Sequence, residues 1–163
     1  MIRDATTDDL DALLRLEDTS FETDRMSRSS LRRLLGSATA VFLVDEAGGD
    51  VTGYILLLVR ASSNRARLYS LAVDAARRGR GIGRRLVEAA ERRVGDLGIG
   101  EIRLEIREDN EASRALFASC GYEPFRTIED YYEDGATAVR YSKRLGSGRN
   151  EESGHAEQAG GRR

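Results

Sequence analysis

The chain has 163 residues, 40% of them apolar and 33% charged, which suits one compact domain with a sizeable buried core. Its 26 basic and 28 acidic residues leave a net charge of −2, so the basic field of a nucleic-acid binder is missing. No apolar run reaches membrane-spanning length and no signal peptide opens the chain, and Cys120 is the only cysteine, so internal disulfides are excluded and a cytoplasmic protein is expected.

In chain order, residues 2–4 read as a short strand. Thr6 or Thr7 then offers an N-cap before Leu10, Leu13, Leu14 and Leu16, which recur at helical spacing. Ser27 or Ser30 caps a second short helix that ends at Gly36. Residues 40–44 and 51–59 form a hairpin around Gly48-Gly49-Asp50. A third strand over 67–73 places Tyr69, Leu71 and Val73 on one face and Leu68, Ser70 and Ala72 on the other, both nearly apolar, as in the centre of a sheet.

The run from Leu68 to Gly83, LYSLAVDAARRGRGIG, is the most informative stretch. A strand ends in a basic, glycine-punctuated loop that opens directly into a helix over 82–94, whose unpaired amides and dipole favour an anion. Gly79, Gly81 and Gly83 allow close backbone approach, and Arg77, Arg78, Arg80, Arg84 and Arg85 supply positive charge, so a pyrophosphate is the natural guest. The Walker pattern fails because no Gly-Lys-Ser or Gly-Lys-Thr follows, and the GxGxxG spacing of dinucleotide folds is absent. On the helix, Leu86, Val87, Ala90 and Val94 face inward.

Residues 101–107 form the next strand, with Ile102, Leu104 and Ile106 on one face and Glu105 between Arg103 and Arg107 on the other. Spacing alone favours a solvated glutamate at Glu105 over a carboxylate that removes a proton from an incoming ammonium. Asn110 begins a helix and suits its N-cap. Strands over 122–128 and 136–143 flank the turn that carries Tyr131 and Tyr132, at least one of which should be exposed. Ser113 and Cys120 have no histidine nearby to activate them, since the single histidine is His155, and one histidine also argues against a zinc site. Residues 146–163 contain no large apolar side chain and read as a disordered polar tail.

The string Arg78-Gly79-Arg80-Gly81-Ile82-Gly83 behind LAVD resembles motif A of the GNAT superfamily of N-acetyltransferases, whose co-substrate is acetyl-CoA. Residues 101–122, EIRLEIREDNEASRALFASCGY, are similar to the family's second block through Asn110, Ala112 or Ala115, Leu116, Phe117, Gly121 and Tyr122. Asp130 to Gly135 resembles the YYxDG turn of the branch that acetylates protein N-termini, the ribosomal-protein alanine acetyltransferases and their archaeal relatives.

The resemblance implies a GNAT domain over 1–145 of α/β (α+β) class. It has a mixed, mostly antiparallel sheet of about six to seven strands with a splayed central pair, and about four flanking helices. By the same resemblance, Leu71, Ala72 and Val73 contact the pantetheine with their backbone, residues 78–84 (Arg78, Gly79, Arg80, Gly81, Ile82, Gly83, Arg84) hold the pyrophosphate, and Asn110 and Phe117 border the pantetheine. Glu105 becomes the base, Tyr131 or Tyr132 the acid, with Tyr69 ranked below them, and Phe21, Glu22 and Met26 face the acceptor. No metal is implied. The branch usually has tyrosine where this chain has Phe117, and aspartate where it has Thr137. Expected partners are acetyl-CoA and a protein or peptide N-terminus, transferred to directly in a ternary complex, with neither nucleic acid nor membrane involved and a monomer or homodimer as the assembly. A small-molecule amine or lysine is the alternative acceptor. An acetyl-CoA-binding regulatory module of weak catalysis is the alternative of another class.

Overall fold

The computed structural model describes residues 1–146, so the polar tail expected beyond them lies outside the described residues. Seven strands and four helices alternate along them: β1 (Ile2–Asp4), α1 (Leu10–Ser20), α2 (Arg28–Leu35), β2 (Ala40–Ala47), β3 (Asp50–Leu58), β4 (Arg65–Val73), α3 (Ile82–Asp96), β5 (Glu101–Arg107), α4 (Glu111–Ser119), β6 (Glu123–Ile128) and β7 (Ala138–Arg144). The strands form one sheet in the order β1-β2-β3-β4-β5-β7-β6. Every neighbouring pair is antiparallel except β4 and β5, which the α3 crossover joins in parallel. The mixed sheet expected from the sequence is therefore present.

Local chemistry explains the helix starts. Thr6 accepts from the Asp8 amide and exchanges bonds with Asp9 in a capping box, which opens a short 3₁₀ turn that runs into α1. Ser27 caps α2 through the Ser30 amide, and Asn110 caps α4 through the Ser113 amide. The hairpin turn is narrower than the sequence suggested, because Asp50 already pairs with Ala47 and only Gly48 and Gly49 turn the chain.

Two cores lie on opposite faces of the sheet. On one, α3 and α4 bury Ile82, Leu86, Val87, Ala90, Val94 and Phe117 against residues of β2 to β5 and β7. On the other, α1 and α2 bury Leu10, Leu13, Leu16 and Leu31, but only against β2, β3 and β4. The helical cover therefore stops at β4 on that face, and the outer row of β5, which includes Glu105, is left to face the loops that follow α1 and β6.

The alternation expected of β4 fails in its middle. Leu56 pairs with Ser70 and Leu57 with Leu68, so Tyr69 is skipped as the extra residue of a β-bulge. The bulge shifts the phase: Leu68, Leu71 and Val73 all reach the α3 core, Ser70 and Ala72 turn to the α1 side, and Tyr69 is 44% exposed. Bulges bend and twist the strand that carries them. Here pairing between β4 and β5 ends at Arg67 and Arg103, two residues before the bulge, although both strands continue. This is the splayed central pair.

Candidate active site

A cleft of about 660 Å³ occupies the gap left by the splay. Residues 67–71 of β4 and 104–107 of β5 form its walls, residues 20–24 and Met26 after α1 close one side, and Tyr131, Tyr132 and Asp134 close another. Asn110, Ser113 and Phe117 of α4 line its inner end.

Glu105 sits in the β5 wall with its side chain only 8% exposed. Its Oε1 accepts from Arg67 Nη2 at 2.9 Å and Nε at 3.2 Å, and its Oε2 accepts from Arg140 Nε at 2.8 Å. The solvated reading of this glutamate is therefore excluded. Arg67 Nη2 also donates to the Tyr131 hydroxyl at 2.9 Å, so carboxylate, guanidinium and phenol form one connected group.

The two tyrosines meet edge to face with centroids 4.9 Å apart, and Arg107 stacks 5.0 Å over the Tyr132 ring while pairing with Asp134 at 2.6 Å. Both are half-buried, in contrast to the exposure expected from a polar turn. Burial pushes both phenols above their ordinary range, and the Glu105 charge acts in the same direction. They hold their protons at neutral pH and serve as hydrogen-bond donors there.

The loop after α1 is fastened across the mouth of the cleft. The Asp24 amide donates to Glu133 Oε1 at 2.9 Å, and the Glu133 amide donates back to Asp24 Oδ2 at 3.4 Å. Asp24 adopts φ 59°, a left-handed conformation unusual for a non-glycine residue.

The glycine loop stands beyond this cleft, between the end of β4 and the start of α3. Gly79 and Gly81 have φ 80° and 79°, which glycine adopts without strain, and Gly81 is the N-cap of α3 with no side-chain bond to its amides. The first amides of α3 thus point outward without intrahelical partners, and the exposed Arg78 and Arg80 form no ion pair among the described residues. An anionic phosphate fits that donor set. Gly83 has another reason to be glycine, because a Cβ there would lie 3.2 Å from Leu116 Cδ2, at the contact between α3 and α4.

The cleft therefore gathers Leu71, Glu105, Asn110, Phe117, Tyr131 and Tyr132, along with Phe21, Glu22, Met26 and Tyr69, while Ala72, Val73 and residues 78–84 lie outside its lining. Phe117 is 2% exposed and packs edge to face on Tyr122 at 5.3 Å. Burial raises the Cys120 thiol above its ordinary range, which suppresses the thiolate a nucleophile would need. No cluster of ligating side chains suited to a metal occurs among the described residues, and none of their helices is long and apolar enough to cross a membrane.

Sequence reasoning missed Arg67 and Arg140, because which arginine meets which glutamate depends on register and on where the pairing stops. It also missed Glu17, whose side chain lines the cleft from α1. A signal was available, since Glu17 falls seven residues after Leu10 on the apolar stripe of that helix.

The profile of the acetyltransferase (GNAT) family matches residues 7–122. The N-alpha-acetyltransferase RimI of Mycobacterium tuberculosis is 35% identical over 124 residues, which cover 74% of this chain and 75% of that protein. A Mycobacterium leprae protein is 34% identical over 140 residues, 78% of this chain, but the match spans only 35% of that longer protein. Among solved structures, the ribosomal-protein-S18-alanine N-acetyltransferase of Escherichia coli superposes with a TM-score of 0.79 at 24% identity, covering 92% of this chain and 97% of that one.

Proposed function

The chain belongs to the GNAT family of acetyltransferases, and from that premise we propose that it moves the acetyl group of acetyl-CoA to the α-amine at the N-terminus of a protein or peptide. The observation that carries this reading is the placement of Glu105 in the wall of the gap between β4 and β5, opposite a roof built by the loops of Asp24 and Glu133. The relatives named for N-terminal acetylation support the acceptor class.

In this reading, acetyl-CoA lies with its pyrophosphate on the α3 amides and Arg78, Arg80 and Arg84, and its thioester reaches the gap beside the β4 bulge. The acceptor enters under the roof. Glu105, through water, takes a proton from the ammonium, the freed nitrogen forms a bond to the acetyl carbon, and the carbon–sulfur bond breaks. The sulfur leaves with a proton from Tyr131, Tyr132 or water, since the buried Phe117 ring has none to give, and the second proton that the nitrogen loses as the amide forms restores that donor through water. The two guanidiniums on Glu105 hold its oxygens in place and leave it lone-pair capacity for a bridging water.

The acceptor class also fits the cost of the free amine. Deprotonation at pH 7 costs about 1 kcal/mol for an α-amine of pKa about 7.7–8.0, and about 4–5 kcal/mol for lysine at about 10.4.

The deciding experiment follows CoA release and product mass with acetyl-CoA and a panel of short peptides, lysine-bearing peptides, polyamines and amino acids. Acetylation of peptide α-amines is the expected result, with Glu105→Gln lowering turnover by about 10²- to 10⁴-fold while acetyl-CoA affinity is retained. Release with small amines or lysine alone would move the acceptor class there, and acetyl-CoA binding without turnover on any amine would leave a regulatory module.

A further inference from the structure

Glu17 is 1% exposed, yet its side chain reaches the cleft wall from the last turns of α1. Its Oε2 accepts from the Met26 amide at 2.7 Å. Its Oε1 accepts from the hydroxyl of Tyr54, a fully buried residue of β3. The Tyr54 oxygen lies 2.8 Å from Ser70 Oγ, and Ser70 directly follows the bulge residue of β4. A continuous polar chain, Met26–Glu17–Tyr54–Ser70, thus runs through the α1 core from the loop on the acceptor side to the strand beside the reaction centre.

Packing alone gives no reason for this chain. Residue 17 falls on the apolar stripe of α1 beside Leu13 and Leu16, and a leucine or methionine there would fill the core without a charge to desolvate. The polar chain gives what apolar contacts lack, a fixed distance between the loop and the strand. Without the Met26 bond, the loop over 21–26 keeps the Asp24–Glu133 exchange at its middle and the Arg25 side-chain bonds to the Asp18 and Phe21 carbonyls, but no hydrogen bond among the described residues then ties the Met26 backbone to α1.

We infer that Glu17 is a positioning residue that sets the acceptor loop over 21–26 in register with β4, and so sets where the acceptor amine stands relative to the acetyl carbon. The inference rests on the acceptor lying in this cleft, as proposed above. Glu17 touches neither reacting atom in this scheme. It acts through the Met26 amide at one end and through Tyr54 at the other.

The test compares Glu17→Met, which removes both acceptors at similar volume, with Glu17→Gln, whose carbonyl keeps the Met26 bond while the Tyr54 hydroxyl turns its proton to Ser70. Glu17→Met is expected to raise the acceptor KM about tenfold or more, with the acetyl-CoA KM unchanged within about twofold. Amide exchange at Met26 should quicken by about tenfold or more in the same variant. Glu17→Gln should restore the acceptor KM and the Met26 exchange rate, with the acetyl-CoA KM again unchanged.

An acceptor KM in Glu17→Met within about twofold of the parent, or a parallel rise in both KM values, would overturn the inference. If Glu17→Met does not fold, Tyr54→Phe carries the same decision, since it cuts the link to Ser70 and leaves the Met26 bond; an unchanged acceptor KM there is the overturning result. A parent protein that acetylates small amines but no peptide α-amine defeats the N-terminal reading alone, and the loop inference is then decided on the amine that reacts.

Discussion

Arg67 and Glu105 stand on neighbouring strands just where those strands part, with Arg67 Nη2 2.9 Å from Glu105 Oε1. The last backbone pair between β4 and β5 is Arg67 with Arg103, so Glu105 lies two residues beyond the ladder. A side-chain ion pair takes over where main-chain pairing stops. It spans the gap between the two strands and fixes the orientation of the proposed base.

Replacing Arg67 should therefore affect turnover more than folding. Arg140 remains on the other carboxylate oxygen and Arg67 is itself half-exposed, so Arg67→Met is expected to cost about 1–2 kcal/mol of stability, measured by denaturant unfolding. Turnover should fall about tenfold or more, because Glu105 and the Tyr131 hydroxyl lose their shared donor. Unchanged initial rates would show that Arg140 alone orients Glu105.

Phe117→Tyr tests the missing acid. The ring is buried against Tyr122 and borders the cleft, so a hydroxyl added there has the cleft as its open direction. A rise in kcat of up to about tenfold is expected if departure of the sulfur limits the rate. A flat or lower kcat would place the acid elsewhere, and Tyr131→Phe and Tyr132→Phe would then separate the two phenols.

Gly81→Ala and Gly83→Ala should fail differently. Alanine at φ 79° costs about 1–2 kcal/mol and disturbs the α3 amides that meet the phosphates, so both melting temperature and acetyl-CoA affinity should drop. Gly83 has ordinary helical geometry, and its added Cβ meets the side-chain ends of Leu116 at 3.2 Å and Val73 at 3.8 Å. Its loss should appear in the melting temperature with little change in affinity, as calorimetric titration would show.

Stability should carry a mark of Glu17 as pH changes. Burial holds its carboxyl above the usual value of 4.5, against the opposing bonds from Met26 and Tyr54, while the charges of Asp18 and Arg25 add smaller effects. The native protein then binds this proton more tightly than the unfolded chain, so the contribution to stability falls as pH rises above that unfolded value. Glu17→Gln has no such slope. The stability of the variant minus that of the parent should increase from about pH 4 to about pH 7, and a constant difference would mean that Glu17 titrates normally in the folded state.

The elements and their order were legible because each has a local cause: Thr6, Ser27 and Asn110 as caps, the apolar stripes of α1 and α3, and the glycines ahead of Ile82; the splayed pair was expected only through the resemblance to the family. The β4 bulge was not, since alternation of side chains assumes an unbroken pleat and nothing about Tyr69 announces an extra residue. The candidate site divides in the same way. Glu105, Asn110 and Phe117 stand in spaced motifs, whereas Arg67, Arg140 and Glu17 matter only through cross-strand register and burial, which a linear pattern does not encode.

Lys143 is the single lysine in a chain that is otherwise basic through arginine. Its ammonium lies within 3.0 and 3.1 Å of the two Glu91 oxygens and 2.8 Å of the Cys120 carbonyl, which occupies all three of its N–H bonds. Guanidinium groups do not accept acetyl under mild conditions, and this one amine offers no lone pair. The only lysine side chain is therefore engaged, so acetyl found on a lysine in an assay with acetyl-CoA is expected to sit on the added acceptor.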